Sequence, residues 1–134
     1  MIRVLVVDDH PVLRAGLEAV LRAEPGFACV GGAEDGETMW RLLRRARPDV
    51  VVLDHRLGDE DGIELCRQLR AEPQPPSVLL YTADPGAALE RLALAAGASG
   101  LIDKAVDVGA LFDAIRVAGR RGEGGSPSSE AAVA

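Results

Sequence analysis

The sequence predicts an α/β protein with a doubly wound parallel sheet, and two patterns carry this prediction. Five short apolar runs alternate along the chain with five segments that have helical periodicity. The runs are continuous and rich in Val and Leu, which is typical of strands that are covered on both faces. Because crossovers between parallel strands are right-handed, the helices must lie on both sides of the sheet. Five strands suit the flavodoxin-like order 2-1-3-4-5.

The predicted strands share an uninterrupted aliphatic character, and they span Ile2–Val7, Phe27–Gly31, Val50–Leu53, Val78–Tyr81 and Gly100–Ile102. The predicted helices each place apolar residues on one stripe, and they span Pro11–Ala23, Gly36–Ala46, Gly62–Arg70, Pro85–Ala96 and Val108–Gly119. Pro11 suits the first turn of the first helix. The fourth helix is rich in alanine, so we expect it to offer only a shallow contact face.

The domain organisation follows from a change in composition near the end of the chain. Residues 1–120 are predicted to form one domain, and residues 121–134 a linker-like tail. The stretch Gly122–Ser129 contains mostly Gly, Ser and Pro, which is typical of a linker. This ending favours a chain that has been cut from a longer protein.

The composition excludes several function classes. The net charge of -6 argues against DNA binding by this chain, because duplex binding requires clustered Lys and Arg. No apolar stretch approaches the roughly 20 residues of a membrane span. Cys29 and Cys66 are isolated in apolar settings, which predicts free thiols in a reducing compartment such as the cytoplasm.

Polar side chains follow four of the five predicted strands. Asp8 and Asp9 end the first strand, Asp54 the third, Thr82 the fourth and Lys104 the fifth. The carboxyl ends of parallel strands meet at one edge of the sheet, and ligands bind there at the switch point between the first and third strands. Lys104 is also the single lysine among the 15 Lys and Arg residues. The sequence therefore predicts a functional site at this edge.

Three carboxylates in one crevice predict a cation. They would repel each other unless one took up a proton or a metal ion lay between them. Oxygen ligands favour a hard cation, and Mg²⁺ fits best because it accepts few carboxylates and keeps several waters. No His or Cys has the spacing of a zinc site. His10 and His55 each follow an aspartate, and we expect both to point away from the crevice.

Asp54 is the predicted nucleophile. A carboxylate can accept a phosphoryl group as an acyl phosphate. Phosphoryl transfer depends on neutralising the charge of the phosphoryl oxygens, which Lys104 and Mg²⁺ would do from two sides. The hydroxyl of Thr82 can donate a hydrogen bond to a further oxygen.

These residues together resemble the receiver domain of two-component response regulators over about residues 1–120. The segments that carry the resemblance are Val6–Pro11, Val50–Asp54, Leu57 with Asp61-Gly62, Tyr81–Ala83, and Lys104. The Asp-Asp-His-Pro opening is particularly similar to that of the NarL/FixJ-type regulators, which carry a C-terminal helix-turn-helix domain. The resemblance implies a phosphorylation-dependent switch in the cytoplasm of a bacterium, and not a turnover enzyme.

The resemblance also implies roles for individual residues and partners. A sensor histidine kinase would donate the phosphoryl group to Asp54. Asp8 and Asp9 would bind Mg²⁺ with Asp54, and the backbone carbonyl of Arg56 would be a further metal ligand. Thr82 and Lys104 would bind phosphoryl oxygens. Transcription would be regulated through a DNA-binding domain absent from this chain, and phosphorylation could produce a homodimer.

The chain departs from the family pattern at three positions. Leu101 stands where an aromatic switch residue is often found, so a switch by aromatic rotation is in doubt. Ala105 replaces a proline that often follows the lysine, which leaves the isomer of the Lys104–Ala105 peptide open. Gly58 replaces a proline that is frequent in the loop after Asp54, and we expect a more flexible and more acidic loop.

One hypothesis concerns the rim of the site. Arg56 and Asp84 each lie two residues beyond a site residue, and an ion pair between them would partly cover the acyl phosphate and slow its hydrolysis. Two solvated loop charges are the simpler interpretation, and the sequence does not decide between them.

Two other function classes compete with the phosphoacceptor switch. A pseudo-receiver that is never phosphorylated stays open, because Leu101 weakens the predicted switch. A haloacid-dehalogenase-like phosphatase is a remote alternative. The nucleophile strand of those enzymes carries an Asp-x-Asp pattern, in which the second aspartate is a general acid. Here that position is Arg56, which cannot donate a proton.

Overall fold

The computed structural model describes residues 1–124, and these contain the predicted parallel sheet. Its strands are β1 (Ile2–Val7), β2 (Phe27–Ala33), β3 (Val50–Asp54), β6 (Ser77–Thr82) and β7 (Gly100–Asp103), and the short strands β4 (Arg56–Leu57) and β5 (Glu60–Asp61) form a separate ribbon. The strand order is β2-β1-β3-β6-β7, and every neighbouring pair is parallel. Counted within this sheet alone, the order is 2-1-3-4-5. The predicted flavodoxin-like fold is confirmed.

Five helices connect the strands: α1 (Pro11–Ala23), α2 (Gly36–Ala46), α3 (Gly62–Arg70), α4 (Ala87–Ala95) and α5 (Val108–Gly124). Helix α4 begins two residues later than predicted, because Gly86 is extended and serves as its N-cap residue. Helix α5 continues beyond the predicted end at Gly119. The rest of the predicted linker, residues 125–134, lies outside the described residues, and the boundary at residue 120 stays a prediction.

The sheet has an apolar core on each face, which explains the continuous hydrophobic runs. Leu5 and Val7 of β1 face one core and Val4 and Val6 face the other, as expected from the alternation of side chains along a strand. Side chains of α2, α3 and α4 complete the first core. Side chains of α1 and α5 complete the second core. This packing brings the carboxyl ends of the parallel strands together at one edge of the sheet.

The loop that follows β3 contains a small hairpin that the sequence analysis did not predict. Strands β4 and β5 pair antiparallel, with Arg56 opposite Asp61 and Leu57 opposite Glu60. Gly58 and Asp59 form the two-residue turn, and Gly58 has φ +65°. A glycine with positive φ at the first turn position is favoured in tight hairpins. This segment therefore forms a hairpin with defined pairing, and the expectation of a more flexible loop stays a prediction.

Candidate functional site

The sheet places the predicted site residues at one edge. Asp8 follows β1 directly, and its backbone N–H donates to the carbonyl of Ala33 at 2.9 Å. Asp54 is the last residue of β3, next to β1 in the sheet. Lys104 follows β7, and its backbone N–H donates to the carbonyl of Thr82 at 2.8 Å. These backbone hydrogen bonds extend the strand pairing up to the site residues and fix where their side chains begin.

Three carboxylates form a compact cluster at this edge. Ligand atoms of Asp8, Asp9, Asp54 and His10 all lie within 4.8 Å of one another. Asp8 is only 1% exposed and Asp54 only 3%. Three oxygens of the cluster, Oδ2 of Asp8, Oδ1 of Asp9 and Oδ2 of Asp54, are buried, and no hydrogen bond of normal geometry reaches them from the described residues apart from the ion-pair contacts given below. Buried carboxylates that lie this close together repel each other, so the cluster suits a cationic ligand.

Lys104 contacts two of these carboxylates. Its Nζ lies 3.0 Å from Oδ2 of Asp54 and 3.5 Å from Oδ2 of Asp8. The ammonium also lies 5.5 Å from the centre of the Tyr81 ring, within cation–π distance. Burial raises the pKa of Asp54 and the negative charge of Asp8 raises it further, while Lys104 opposes both effects. One lysine therefore does not fully compensate the buried carboxylates.

The prediction that His10 points away from the crevice is wrong. Its Nδ1 lies 2.9 Å from Oδ1 of Asp8, 3.3 Å from Oδ1 of Asp9 and 3.7 Å from Oδ2 of Asp54. The backbone N–H of His10 also donates to Oδ1 of Asp8 at 2.8 Å, and this local turn brings the ring back over the cluster. The hydrogen bond with Asp8 raises the pKa of His10. The adjacent Asp-Asp pair was the signal that could have placed this ring.

His55 belongs to the backbone framework of the site. Its N–H donates to the carbonyl of Tyr81 at 2.9 Å, and its carbonyl accepts from Gly62 at 2.8 Å. A Cβ at Gly62 would lie 2.3 Å from the carbonyl oxygen of Asp54 and 2.8 Å from that of His55. This crossing of the chain therefore requires glycine, and it holds the end of β3 against the start of α3.

Thr82 and Arg56 lie at the edges of the cluster. Thr82 is 5% exposed, and its hydroxyl accepts a hydrogen bond from the backbone N–H of Asp84 at 3.1 Å. The backbone N–H of Arg56 donates to Oδ1 of Asp54 at 3.2 Å. Among the described residues no ion pair joins Arg56 and Asp84, so the structure favours two separate loop charges over the hypothesised cover, and Asp84 meets the site through its backbone N–H.

Two of the departures noted in the sequence have simple structural descriptions. Leu101 is half-buried, pairs with Leu80 across β6 and β7, and packs against the core under α2, α3 and α4. The Lys104–Ala105 peptide is trans.

The set of oxygen ligands at this cluster fits Mg²⁺. The aspartates offer oxygen ligands, which a hard divalent cation prefers, and three of those oxygens are buried at the cluster. Asp9 contributes Oδ1 to the cluster, whereas its Oδ2 accepts a hydrogen bond from the backbone N–H of Gly58 at 2.9 Å. The arrangement can bind a divalent cation beside Asp54 and Lys104.

Comparison with known proteins agrees with this geometry. The model of the response regulator receiver domain family matches residues 4–116. The chain is 35% identical over 134 residues to the transcriptional regulatory protein LiaR of Bacillus subtilis. This alignment covers 100% of the chain and 62% of LiaR. It is 41% identical over 104 residues to the DNA-binding transcriptional activator DevR/DosR of Mycobacterium tuberculosis. This alignment covers 78% of the chain and 48% of DevR/DosR.

A solved structure shows the same fold. The LuxR-family two-component response regulator from Aurantimonas sp. SI85-9A1 superposes with a TM-score of 0.80 at 37% identity, covering 86% of this chain and 82% of that chain. The chain belongs to the response regulator receiver domain family, and its relatives include LiaR, DegU and DevR/DosR, which are of the predicted NarL/FixJ type.

The chain spans about half to three-fifths of the length of the curated regulators that it matches. Among the helices of the described residues, none has the length and apolar character that a membrane span requires.

Proposed function

We propose that this receiver domain accepts a phosphoryl group on Asp54 from a sensor histidine kinase and acts as a phosphorylation-dependent switch. The observation that carries the proposal is the buried Asp54 carboxylate, whose Oδ2 lies 3.0 Å from the Lys104 ammonium inside a cluster of three carboxylates. Asp8 and Asp54 share this one ammonium, so the cluster keeps an excess of negative charge that a bound cation can neutralise. The same ammonium lies close enough to Asp54 to pair with an incoming phosphoryl oxygen.

The chain's own residues supply positioning and charge. A carboxylate oxygen of Asp54 attacks the phosphorus of a phosphohistidine, the phosphorus–nitrogen bond breaks, and an acyl phosphate forms. Lys104 pairs with the Asp54 carboxylate before transfer and with a phosphoryl oxygen afterwards. Thr82, at the end of the neighbouring strand, donates a hydrogen bond from its hydroxyl to another phosphoryl oxygen. The contact made by Lys104 thus changes with phosphorylation.

Mg²⁺ belongs to the proposed site. Asp8, Asp9 and Asp54 would hold it together with the backbone carbonyl of Arg56, and when bound it would neutralise negative charge on the phosphoryl oxygens. The three buried carboxylate oxygens that converge on the cluster support this assignment.

The output and location are proposed from the relatives. LiaR and DevR/DosR are transcriptional regulators longer than this chain. We infer that a DNA-binding helix-turn-helix domain outside this sequence carries the output in the bacterial cytoplasm, and that phosphorylation shifts an existing equilibrium between two states of the receiver. A homodimer formed on phosphorylation is one way to couple the state of the receiver to the DNA-binding domain. The domain is a switch, and its only chemistry is its own phosphorylation and dephosphorylation.

Phosphorylation by a small donor tests the proposal. The protein is incubated with acetyl phosphate and Mg²⁺, and its intact mass is recorded. We expect one phosphate adduct in the wild type and none in Asp54→Asn, which preserves the size of the side chain. Asp84→Asn, a carboxylate change at the rim, is the control and should keep the adduct. Absence of an adduct with this donor and with phosphoramidate would favour the pseudo-receiver, and repeated turnover of a phosphate ester would favour the phosphatase.

A further inference from the structure

The hairpin formed by β4 and β5 makes two contacts with other parts of the chain. The backbone N–H of Gly58 donates to Oδ2 of Asp9 at 2.9 Å, across 49 residues of sequence. The carboxylate of Glu60 accepts from the backbone N–H of Gly36 at 2.9 Å, across 24 residues. One contact reaches the carboxylate cluster and the other reaches the start of α2. The hairpin therefore joins the cluster to the body of the domain.

The contact from Gly58 determines which oxygen of Asp9 faces the cluster. Oδ2 is held by the Gly58 amide, and Oδ1 is the buried oxygen that faces the cluster, 3.3 Å from Nδ1 of His10. Gly58 has φ +65°, a conformation that glycine adopts readily and that proline cannot adopt. Proline would also lack the N–H that donates to Asp9. Glycine at this position therefore provides both the turn and the hydrogen bond.

Glu60 anchors the opposite strand of the hairpin. Gly36 is buried at the first turn of α2, and a Cβ there would lie 2.5 Å from Oε2 of Glu60, so the carboxylate lies directly against the glycine backbone. A carboxylate at a helix N-terminus is favoured by the exposed N–H groups and the helix dipole. The side chain of Asp35 accepts from Thr38 in the same turn and leaves the Gly36 amide to Glu60.

The hairpin also carries Arg56, whose backbone N–H contacts Oδ1 of Asp54. Leu57, which pairs with Glu60, is 2% exposed and anchors β4 in the core. The same two-stranded element thus touches Asp54 through Arg56 and Asp9 through Gly58.

We propose that Gly58 and Glu60 are positioning residues that pre-organise the cation site, with the hairpin holding Asp9 in the orientation that binds Mg²⁺. This inference rests on the proposed function, because it concerns the cation of that site. Partners that orient metal ligands typically change metal affinity by about 10–100-fold when they are lost. The expected effect is therefore on Mg²⁺ binding, and phosphorylation at saturating Mg²⁺ should recover.

Calorimetric titration of the metal-free protein with MgCl₂, without any phosphodonor, measures the effect directly. In Gly58→Pro, which removes the N–H, and in Glu60→Ala, which removes the anchor, the Mg²⁺ dissociation constant should rise about tenfold. Two controls separate the contact from the charge. Asp59→Ala removes a neighbouring carboxylate of the same turn, and Glu60→Gln keeps an acceptor oxygen for Gly36. Both should stay within about twofold of the wild type, well below the effect of losing an orienting partner.

The controls also define failure. Wild-type affinity in both Gly58→Pro and Glu60→Ala would overturn the inference, as would an equal loss in Asp59→Ala, which would indicate a general charge effect. Thermal unfolding without Mg²⁺ identifies a variant that has lost its fold, and Glu60→Ala then decides the matter if Gly58→Pro is unfolded. A wild type that binds Mg²⁺ but gives no phosphate adduct would contradict the proposed function and leave this inference intact.

Discussion

Lys104 contacts Asp54 although their strands are not neighbours. The ammonium lies 3.0 Å from Oδ2 of Asp54, while β6 separates β3 from β7 in the sheet. The lysine side chain reaches across the end of β6, passes over the Tyr81 ring at 5.5 Å and is only 14% exposed. This contact joins the third and fifth strands of the sheet at the point where phosphorylation is proposed.

The stability of the metal-free protein should depend on this contact. In Lys104→Met, Asp8 and Asp54 lose their nearby ammonium, and the free energy of unfolding at pH 7 should fall by about 1–3 kcal/mol. Denaturant unfolding in EDTA measures it. In the Asp54→Asn background the same substitution should cost clearly less, because one of the two carboxylates is gone. Equal costs in both backgrounds would show that Lys104 acts through packing and not through Asp54.

Removing the charge of Asp54 should stabilise the metal-free protein near neutral pH. Burial raises the pKa of Asp54 in the folded state above its ordinary value of 3.8. Between the ordinary pKa and the raised pKa, the folded state therefore binds more protons than the unfolded state. Stability is therefore lost as pH rises through that window, and the full penalty is present above the folded pKa. In EDTA, Asp54→Asn should unfold several degrees higher than the wild type at pH 7. The difference should shrink on acidification; a difference that does not vary with pH contradicts this explanation.

His10 should make Mg²⁺ binding depend on pH. The hydrogen bond with Asp8 raises the pKa of His10 above its ordinary value of 6.5, and the ring lies within the carboxylate cluster, where its protonated form would compete with a metal cation. The stabilisation that this charge gives the metal-free fold is fully present below pH 6.5 and is lost as pH rises through the folded pKa. Apparent Mg²⁺ affinity should therefore increase as pH rises from below 6.5 through the raised pKa of His10. Titrations of His10→Ala should show a much weaker dependence; an unchanged profile would exclude His10 as the competitor.

Two Gly→Ala substitutions should have opposite effects on stability. A Cβ at Gly62 would meet backbone atoms at 2.3 to 2.9 Å, so Gly62→Ala should lower the free energy of unfolding by about 1–3 kcal/mol or more. Gly16 lies within α1, and a Cβ added there would meet no atom of another segment within 4 Å. Because glycine destabilises a helix interior relative to alanine, Gly16→Ala should raise the free energy of unfolding by about 0.5–1 kcal/mol. Chemical denaturation compares the two, and a loss in Gly16→Ala would contradict the prediction.

The sequence predicted the fold from features that are local. Strands such as Val50–Asp54 are continuous apolar runs because both faces of the sheet are covered, and the helices between them carry apolar stripes at helical spacing. The positions of Asp8, Asp54 and Lys104 at strand ends followed from the same pattern, since parallel strands end at one edge. The helix boundaries were less certain because capping by Gly86 depends on local backbone conformation.

By itself, the sequence determined which reactive groups share an edge: Asp8, Asp9, Asp54, Thr82 and Lys104. The tertiary structure decided how those groups are held. The turn that carries His10 over the cluster, the hairpin around Gly58 and the contact between Glu60 and Gly36 depend on hydrogen bonds whose partners no periodicity specifies. The physical reason is that hydrophobic patterning orders whole strands and helices, whereas the orientation of one carboxylate depends on single donors from distant segments.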